Sequence, residues 1–211
     1  MKKVLLGLSL LALLTGCAWR EQRASGSGYA GSGTVVGAGS HTVTPADSSF
    51  AREACQTGTA EVQIGKLAAR NTKNREVRAL ARKLADEHAR AEKELGQLFV
   101  RKSIPPEENL EEHLQSSLEN LTRLKGHEFD VAFKDQVIQD HQGAIEVFEK
   151  QAAQGTDPDL KAFAQKHLPR LREHLAAAQR LDVGKDYGAP DAATVNTYLN
   201  NPAARNISPA R

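Results

Sequence analysis

Aromatic residues are scarce in this chain, at 5% of 211 positions. That scarcity argues against a β-sandwich and against a nucleic-acid binder built on base stacking. Gly (16) and Pro (8) are too few for a fibrous chain. A charge excess of one sign is missing as well. Lys and Arg number 28 against 26 Asp and Glu, and Lys2 and Lys3 lie in a segment expected to be removed, which leaves 26 against 26. Electrostatics therefore gives no reason to expect nucleic acid or an anionic lipid surface as partner. The only long apolar run, residues 4–14, is too short to span a bilayer as a helix. No serine sits in a Gly-x-Ser-x-Gly elbow and His-Glu-x-x-His does not occur. No enzymatic activity is expected.

What is present begins with an address. Lys2 and Lys3 precede the apolar run, and Leu14-Thr15-Gly16-Cys17 follows it. Small residues before a cysteine form a bacterial lipobox, in which the Cys17 thiol receives a diacylglycerol after cleavage. Residues 1–16 read as a lipoprotein signal peptide. Acyl chains on Cys17 would anchor the protein at about 0.8 kcal/mol per buried methylene, so the membrane is the expected partner. Ala18 rather than Asp follows the cysteine, which favours the outer membrane, facing the periplasm, over inner-membrane retention. Lipidation uses one of two cysteines, so no internal disulfide is expected, and Cys55 reads as a small buried hydrophobe.

Residues 17–48 are expected to be the lipidated cysteine and a flexible Gly/Ser-rich tether, because Gly26, Gly28, Gly31, Gly33, Gly37 and Gly39 alternate with small polar residues. From 49 to 182 the periodicity is helical, with Ser48 or Ser49 as the first N-cap. One face of the first helix carries Phe50, Ala54, Thr57, Glu61, Ile64 and Ala68, with Gly58 and Gly65 allowing a close helix contact. After a break at residues 71–74, Val77, Leu80, Leu84, His88, Ala91 and Leu95 recur at three and four. A short polar helix between Glu107 and Leu124 lies inside a long connection. Phe129, Phe133, Val137, His141, Ile145 and Phe148 mark the third long helix. Gly155 suits a left-handed helix end, Asp157 an N-cap and Pro158 a first helical turn. The fourth long helix carries Leu160, Phe163, His167, Leu171 and His174, with Pro169 inside it. Two short links and one long, partly helical crossover between the second and third long helices predict an all-α, ferritin-like four-helix bundle. Residues 183–211 read as a mostly irregular C-terminal tail.

Polar residues on these apolar stripes are the informative feature. Glu61, His88, His141 and His174 supply one titratable group per long helix. Each lies about ten to sixteen residues from a short link, within one or two turns of mid-bundle at 1.5 Å per residue. If they converge, three imidazoles and a carboxylate suit a single transition-metal ion such as Zn²⁺, Cu²⁺ or Fe²⁺. The other reading is a buried hydrogen-bonded network with no cofactor. Asp130, three turns before His141 and nearly in phase, could support a histidine from behind, as could His167. A di-iron centre is disfavoured, because Ala85 and Leu171 stand where Glu-x-x-His would need carboxylates.

Glu61-Val62-Gln63-Ile64-Gly65-Lys66-Leu67-Ala68, Asp86-Glu87-His88 with Ala91 and Leu95, Phe129-Asp130 with His141, and Leu160-Lys161-Ala162-Phe163 leading to Leu168-Pro169-x-Leu171-x-x-His174-Leu175 occur in that order. Over about residues 49–181 the chain resembles an uncharacterised bacterial envelope family, catalogued as domain of unknown function 4142. The resemblance implies a ferritin-like helical bundle that is often exported or lipidated, with no known activity, substrate or cofactor. It also implies that Glu61, His88, Asp130, His141 and His174 are recurrent polar positions; His167 stands where a small residue would be. The expected function is that of a lipid-anchored envelope bundle of unknown activity, a non-enzymatic binding, structural or stress-related module. The alternative is a periplasmic metal-binding protein using Glu61, His88, His141 and His174. The sequence names no protein partner.

Overall fold

A computed structural model describes residues 43–107 and 109–184. The lipobox, most of the tether and nearly all of the tail lie outside the described residues. Every regular element among those described is an α-helix: α1 Pro45–Asn71, α2 Arg75–Lys102, α3 Glu112–Arg123, α4 Gly126–Gln154 and α5 Pro158–Arg180. None of them is long and apolar enough to cross a membrane.

Helix α1 starts earlier than Ser48 or Ser49 would place it. Thr44 is the N-cap, its Oγ1 accepting from the Asp47 amide at 3.2 Å, and Pro45 opens the helix. Proline at the first helical position gives up no intrahelical bond, so Thr-Pro-Ala-Asp is a strong start that the serines cannot displace. The α1–α2 turn is held by Asn74, whose Oδ1 accepts from the amides of Glu76 and Val77 at 2.9 and 3.1 Å. Its Nδ2 donates to Asp182 O at 2.9 Å, which ties this turn to the end of α5. Asp157 caps α5 as expected, accepting from the amides of Asp159 and Leu160 at 3.1 and 3.0 Å. Gly155, by contrast, is not left-handed, with φ −55°. Glycine is needed there for room: a Cβ would lie 2.5 Å from Gln151 O. The left-handed residues at helix boundaries are instead Ser103, φ 54°, which ends α2, and Gly126, φ 58°, at the start of α4.

Helices α1 and α2 form one antiparallel hairpin and α4 and α5 the other, with α3 in the crossover, so the links run short, long, short as expected. Contact within each hairpin is more extensive than contact between them. Gly65 permits the tight α1–α2 approach, since a Cβ there would meet Ala81 O at 2.7 Å. Cys55 is buried among apolar residues, as expected. Cys17 lies outside the described residues.

The core is in two halves. One, at the α1–α2 turn, contains Ile64, Val77, Leu84, Phe129, Phe133 and Val137. The other, at the opposite end, contains Phe50, Leu95, Leu98, Phe148, Leu160 and Phe163. Along every long helix the stretch between the two halves carries a polar group: Glu61, His88, His141 or His174.

Candidate metal centre

His88 from α2, His141 from α4 and His174 from α5 meet at mid-bundle. Their ring centroids form a nearly equilateral triangle with sides of 5.4, 5.4 and 5.2 Å. Nε2 of His141 is 3.4 Å from Nε2 of His88 and 3.2 Å from Nδ1 of His174. One nitrogen from each ring lies within 4.8 Å of the others. Helical geometry explains the meeting, because each histidine follows its own apolar stripe at the same height and so turns inward with the leucines and phenylalanines.

The far side of two of these rings is occupied. Nδ1 of His141 lies 2.9 Å from Val137 O. A carbonyl oxygen only accepts, so Nδ1 carries the hydrogen and donates. Nε2 of His174 lies 2.7 Å from Glu87 Oε2 and donates to it. Burial alone would raise the Glu87 carboxyl, but hydrogen bonds from Lys83 and His174 hold it down at about 2, so it is an anion at neutral pH. In the neutral rings, His141 Nε2 and His174 Nδ1 are then bare lone pairs, and they face each other.

Burial keeps the rings neutral. It pushes His141, with help from the nearby His174, down to about 4. Burial and the adjoining His141 and His174 push His88 well below its ordinary value. Burial also lowers His174, against the pull of its hydrogen bond to Glu87.

Glu61 belongs to the same polar layer but not to the triangle. Its Oε1 is 3.6 Å from His141 Nδ1, the nitrogen that points away from the other rings. Burial and then the Asp140 carboxyl push Glu61 well above the carboxylate range, so it keeps its proton. Asp140 accepts from Gln136 Nε2 at 2.8 and 2.9 Å. The structure thus places Glu61 behind a histidine rather than beside the converging nitrogens.

Asp130 and His167 do not support the triangle. Eleven residues of helix put Asp130 about 16 Å along α4 from His141, too far to touch its ring. Asp130 is buried in the half of the bundle near the α1–α2 turn. His167 turns to Glu94, with Nε2 3.1 Å from Oε2, and packs on Phe163 at a centroid distance of 4.4 Å. Sequence reasoning passed over Glu87 and Asp140. A signal was available: Glu87-His88, Asp140-His141 and Glu173-His174 each set a carboxylate one residue before a histidine. A rotation of 100° carries that carboxylate from the apolar stripe to its edge, where it can reach a neighbouring helix.

A cavity of about 1400 Å³ opens beside the triangle and touches His88 and His174. Its floor includes Leu95, Phe148, Phe163 and Leu171. Its walls carry eight Asp and Glu residues against three Lys and Arg, among them Glu53, Glu87, Glu92, Glu94 and Glu146.

The comparisons with known proteins agree with this architecture. Residues 1–18 match a prokaryotic membrane lipoprotein lipid attachment site, so the chain is a lipid-anchored bacterial envelope protein joined to the membrane through Cys17. The fold is similar to the crystal structure of a DUF305 fragment from Deinococcus radiodurans, with a TM-score of 0.61 and 18% identity over 68% of this chain and 98% of that one. At that identity the likeness is one of fold alone. No curated protein matches. Residues 34–181, which hold all five helices and the three histidines, match the family described as Domain of unknown function (DUF4142), and the chain belongs to that family.

Proposed function

We propose that this protein is a lipid-tethered, non-enzymatic ion-binding bundle that holds one transition-metal ion on His88, His141 and His174. One observation carries the reading: His141 Nε2 and His174 Nδ1 are 3.2 Å apart while the other nitrogen of each ring is already donating a hydrogen. Two lone pairs at that distance repel unless a cation stands between them. A proton on His88 Nε2 can be donated to one of them and leaves the other bare. A metal ion satisfies all three rings at once. Bonds of about 2.0–2.1 Å to a tetrahedral ion put ligand nitrogens about 3.3–3.4 Å apart, and the separations here are 3.4 and 3.2 Å. Three neutral imidazoles suit Zn²⁺, Cu²⁺ or Fe²⁺. Ala18 after the lipidated cysteine supports outer-membrane attachment with the bundle in the periplasm.

The test is metal content by mass spectrometry on the lipidated chain in detergent, purified without a histidine tag and challenged with Zn²⁺, Cu²⁺ and Fe²⁺ in turn. About one ion per chain is expected, lost in a His141→Ala variant whose helical circular dichroism is unchanged. A folded chain that retains none of the three ions would reduce the layer to a hydrogen-bonded core network and overturn the proposal.

A further inference from the structure

We infer that this ion site, on the reading just given, is an open one: its remaining coordination position faces the acidic cavity and takes an exchangeable neutral ligand, water at rest, in preference to an anion. Three nitrogens leave one corner of a tetrahedral ion unfilled, and the nearby carboxyls are engaged elsewhere. Glu87 is held by His174 Nε2 at 2.7 Å. Glu61 sits behind His141, with Oε1 3.6 Å from Nδ1 and away from the converging nitrogens. On one side of the histidine layer the bundle is closed by Leu84 and Val137, both fully buried. On the other side the cavity reaches His88 and His174 directly. The vacant corner therefore has access to solvent from the cavity side alone. A site of three protein ligands with an open fourth position is the arrangement that lets a metal exchange a bound molecule rather than serve only as a structural clamp.

The cavity wall decides which molecules arrive. Carboxylates outnumber Lys and Arg there by eight to three. They remain in excess even with Glu53 and Glu92 pushed by burial toward their neutral forms. A cleft lined by one sign of charge over low-dielectric walls concentrates ligands of opposite charge and repels its own sign. The wall thus draws a metal cation in, admits neutral donors and disfavours anions.

The experiment loads the lipidated chain with Co²⁺, whose visible bands report the ligand set, and titrates it with imidazole and, separately, with azide. Cobalt content is followed by dialysis throughout. Imidazole is expected to shift the bands saturably, and azide to bind about tenfold or more weakly, with the gap narrowing as salt is raised. Bound cobalt whose bands respond to neither probe would mean a closed site and would overturn this inference while leaving ion binding intact. Azide binding as tightly as imidazole would overturn the charge selection. Cobalt that fails to bind, or that millimolar imidazole strips away, would overturn ion binding itself and this inference with it.

Discussion

Asp47, in the first turn of α1, accepts a 2.7 Å hydrogen bond from Gln151 Nε2, in the last turn of α4. The same carboxylate accepts from Thr44 Oγ1 at 2.7 Å, from the amides of Thr156 and Asp157 at 3.1 and 3.2 Å, and from Thr156 Oγ1 at 2.5 Å. It thus ties the start of the first hairpin to the turn of the second. Burial opposes its charge, but these bonds prevail and hold it far below the usual carboxylate range. A depressed folded pKa stabilises above the unfolded value, near 3.8, and that stabilisation is lost as pH falls below it. Asp47→Asn should cost about 2–4 kcal/mol at pH 7. The variant's urea midpoint should also fall less steeply than the parent's between pH 5 and pH 2. Parallel midpoint curves would show that Asp47 is not an ionised anchor.

Glu87 fixes the tautomer of His174 by accepting from its Nε2, which leaves Nδ1 to the centre of the triangle. Carboxylates in that position raise ligand basicity and hold ring orientation. Glu87→Gln should weaken ion binding about 10–100-fold without loss of helix content. Competition against a chelator of known affinity measures it, and unchanged affinity would remove Glu87 from any part in the site.

Glu61 gives the opposite pH dependence from Asp47. Its folded pKa is raised above the ordinary 4.5, by burial first and by Asp140 second. A raised pKa contributes stability that is complete below about 4.5 and lost as pH rises toward the folded value. The groups facing it are Asp140 and His141, with Gln136 bonded to Asp140. A glutamine at this position imitates the protonated form at every pH. In chelator-treated protein, Glu61→Gln should gain about 1 kcal/mol or more over the parent between pH 5 and pH 8. Chemical denaturation at a series of pH values reads this directly, and two curves that keep a constant separation would count against a protonated Glu61.

Gly65 and Gly58 stand seven residues apart on α1 and should respond oppositely to alanine. At Gly65 the new Cβ would lie 2.7 Å from Ala81 O and 3.1 Å from Ala85 N, both backbone atoms of α2. At Gly58 the nearest atom is Glu92 Cγ at 3.4 Å, on a side chain that can move. Overpacking costs about 1–3 kcal/mol, against about 1 kcal/mol gained from helix propensity. Gly65→Ala should therefore lower the unfolding midpoint, while Gly58→Ala should leave it unchanged or raise it. A stabilised Gly65→Ala would disprove the close α1–α2 approach.

Much of this arrangement is legible from spacing alone. The apolar stripes place four long helices, the breaks at residues 71–74 and 155–158 place the short links, and equal heights along the stripes bring the three histidines together. Periodicity reports which face of a helix is inward, and that is why it found His88, His141 and His174. It carries little information about the edges of that face, and Glu87 and Asp140 sit there. Nor does a shared inward face distinguish a group beside the converging nitrogens from one behind a ring, which is where Glu61 lies. Asp130 was in phase with His141 but not at its height, and phase without height does not bring side chains together. The start of α1 was misplaced because two serines outweighed Thr-Pro, although proline in the first turn is the stronger signal.

The polar layer between the two halves of the core also sets the alignment of the helices lengthwise. A bundle with only leucine and phenylalanine inside can slide one helix along another by a turn and still bury oil against oil. Here a one-turn slip of α5 against α4 would set His141 level with Leu171 or Ala178 in place of His174, and would carry Glu87 away from the imidazole it holds. Each misaligned pairing strands a buried nitrogen among apolar side chains, a penalty of about 1–3 kcal/mol per group. The same residues that make the centre chemically interesting thus act as a key in the lock of the fold, admitting one vertical setting of the four long helices and penalising the rest.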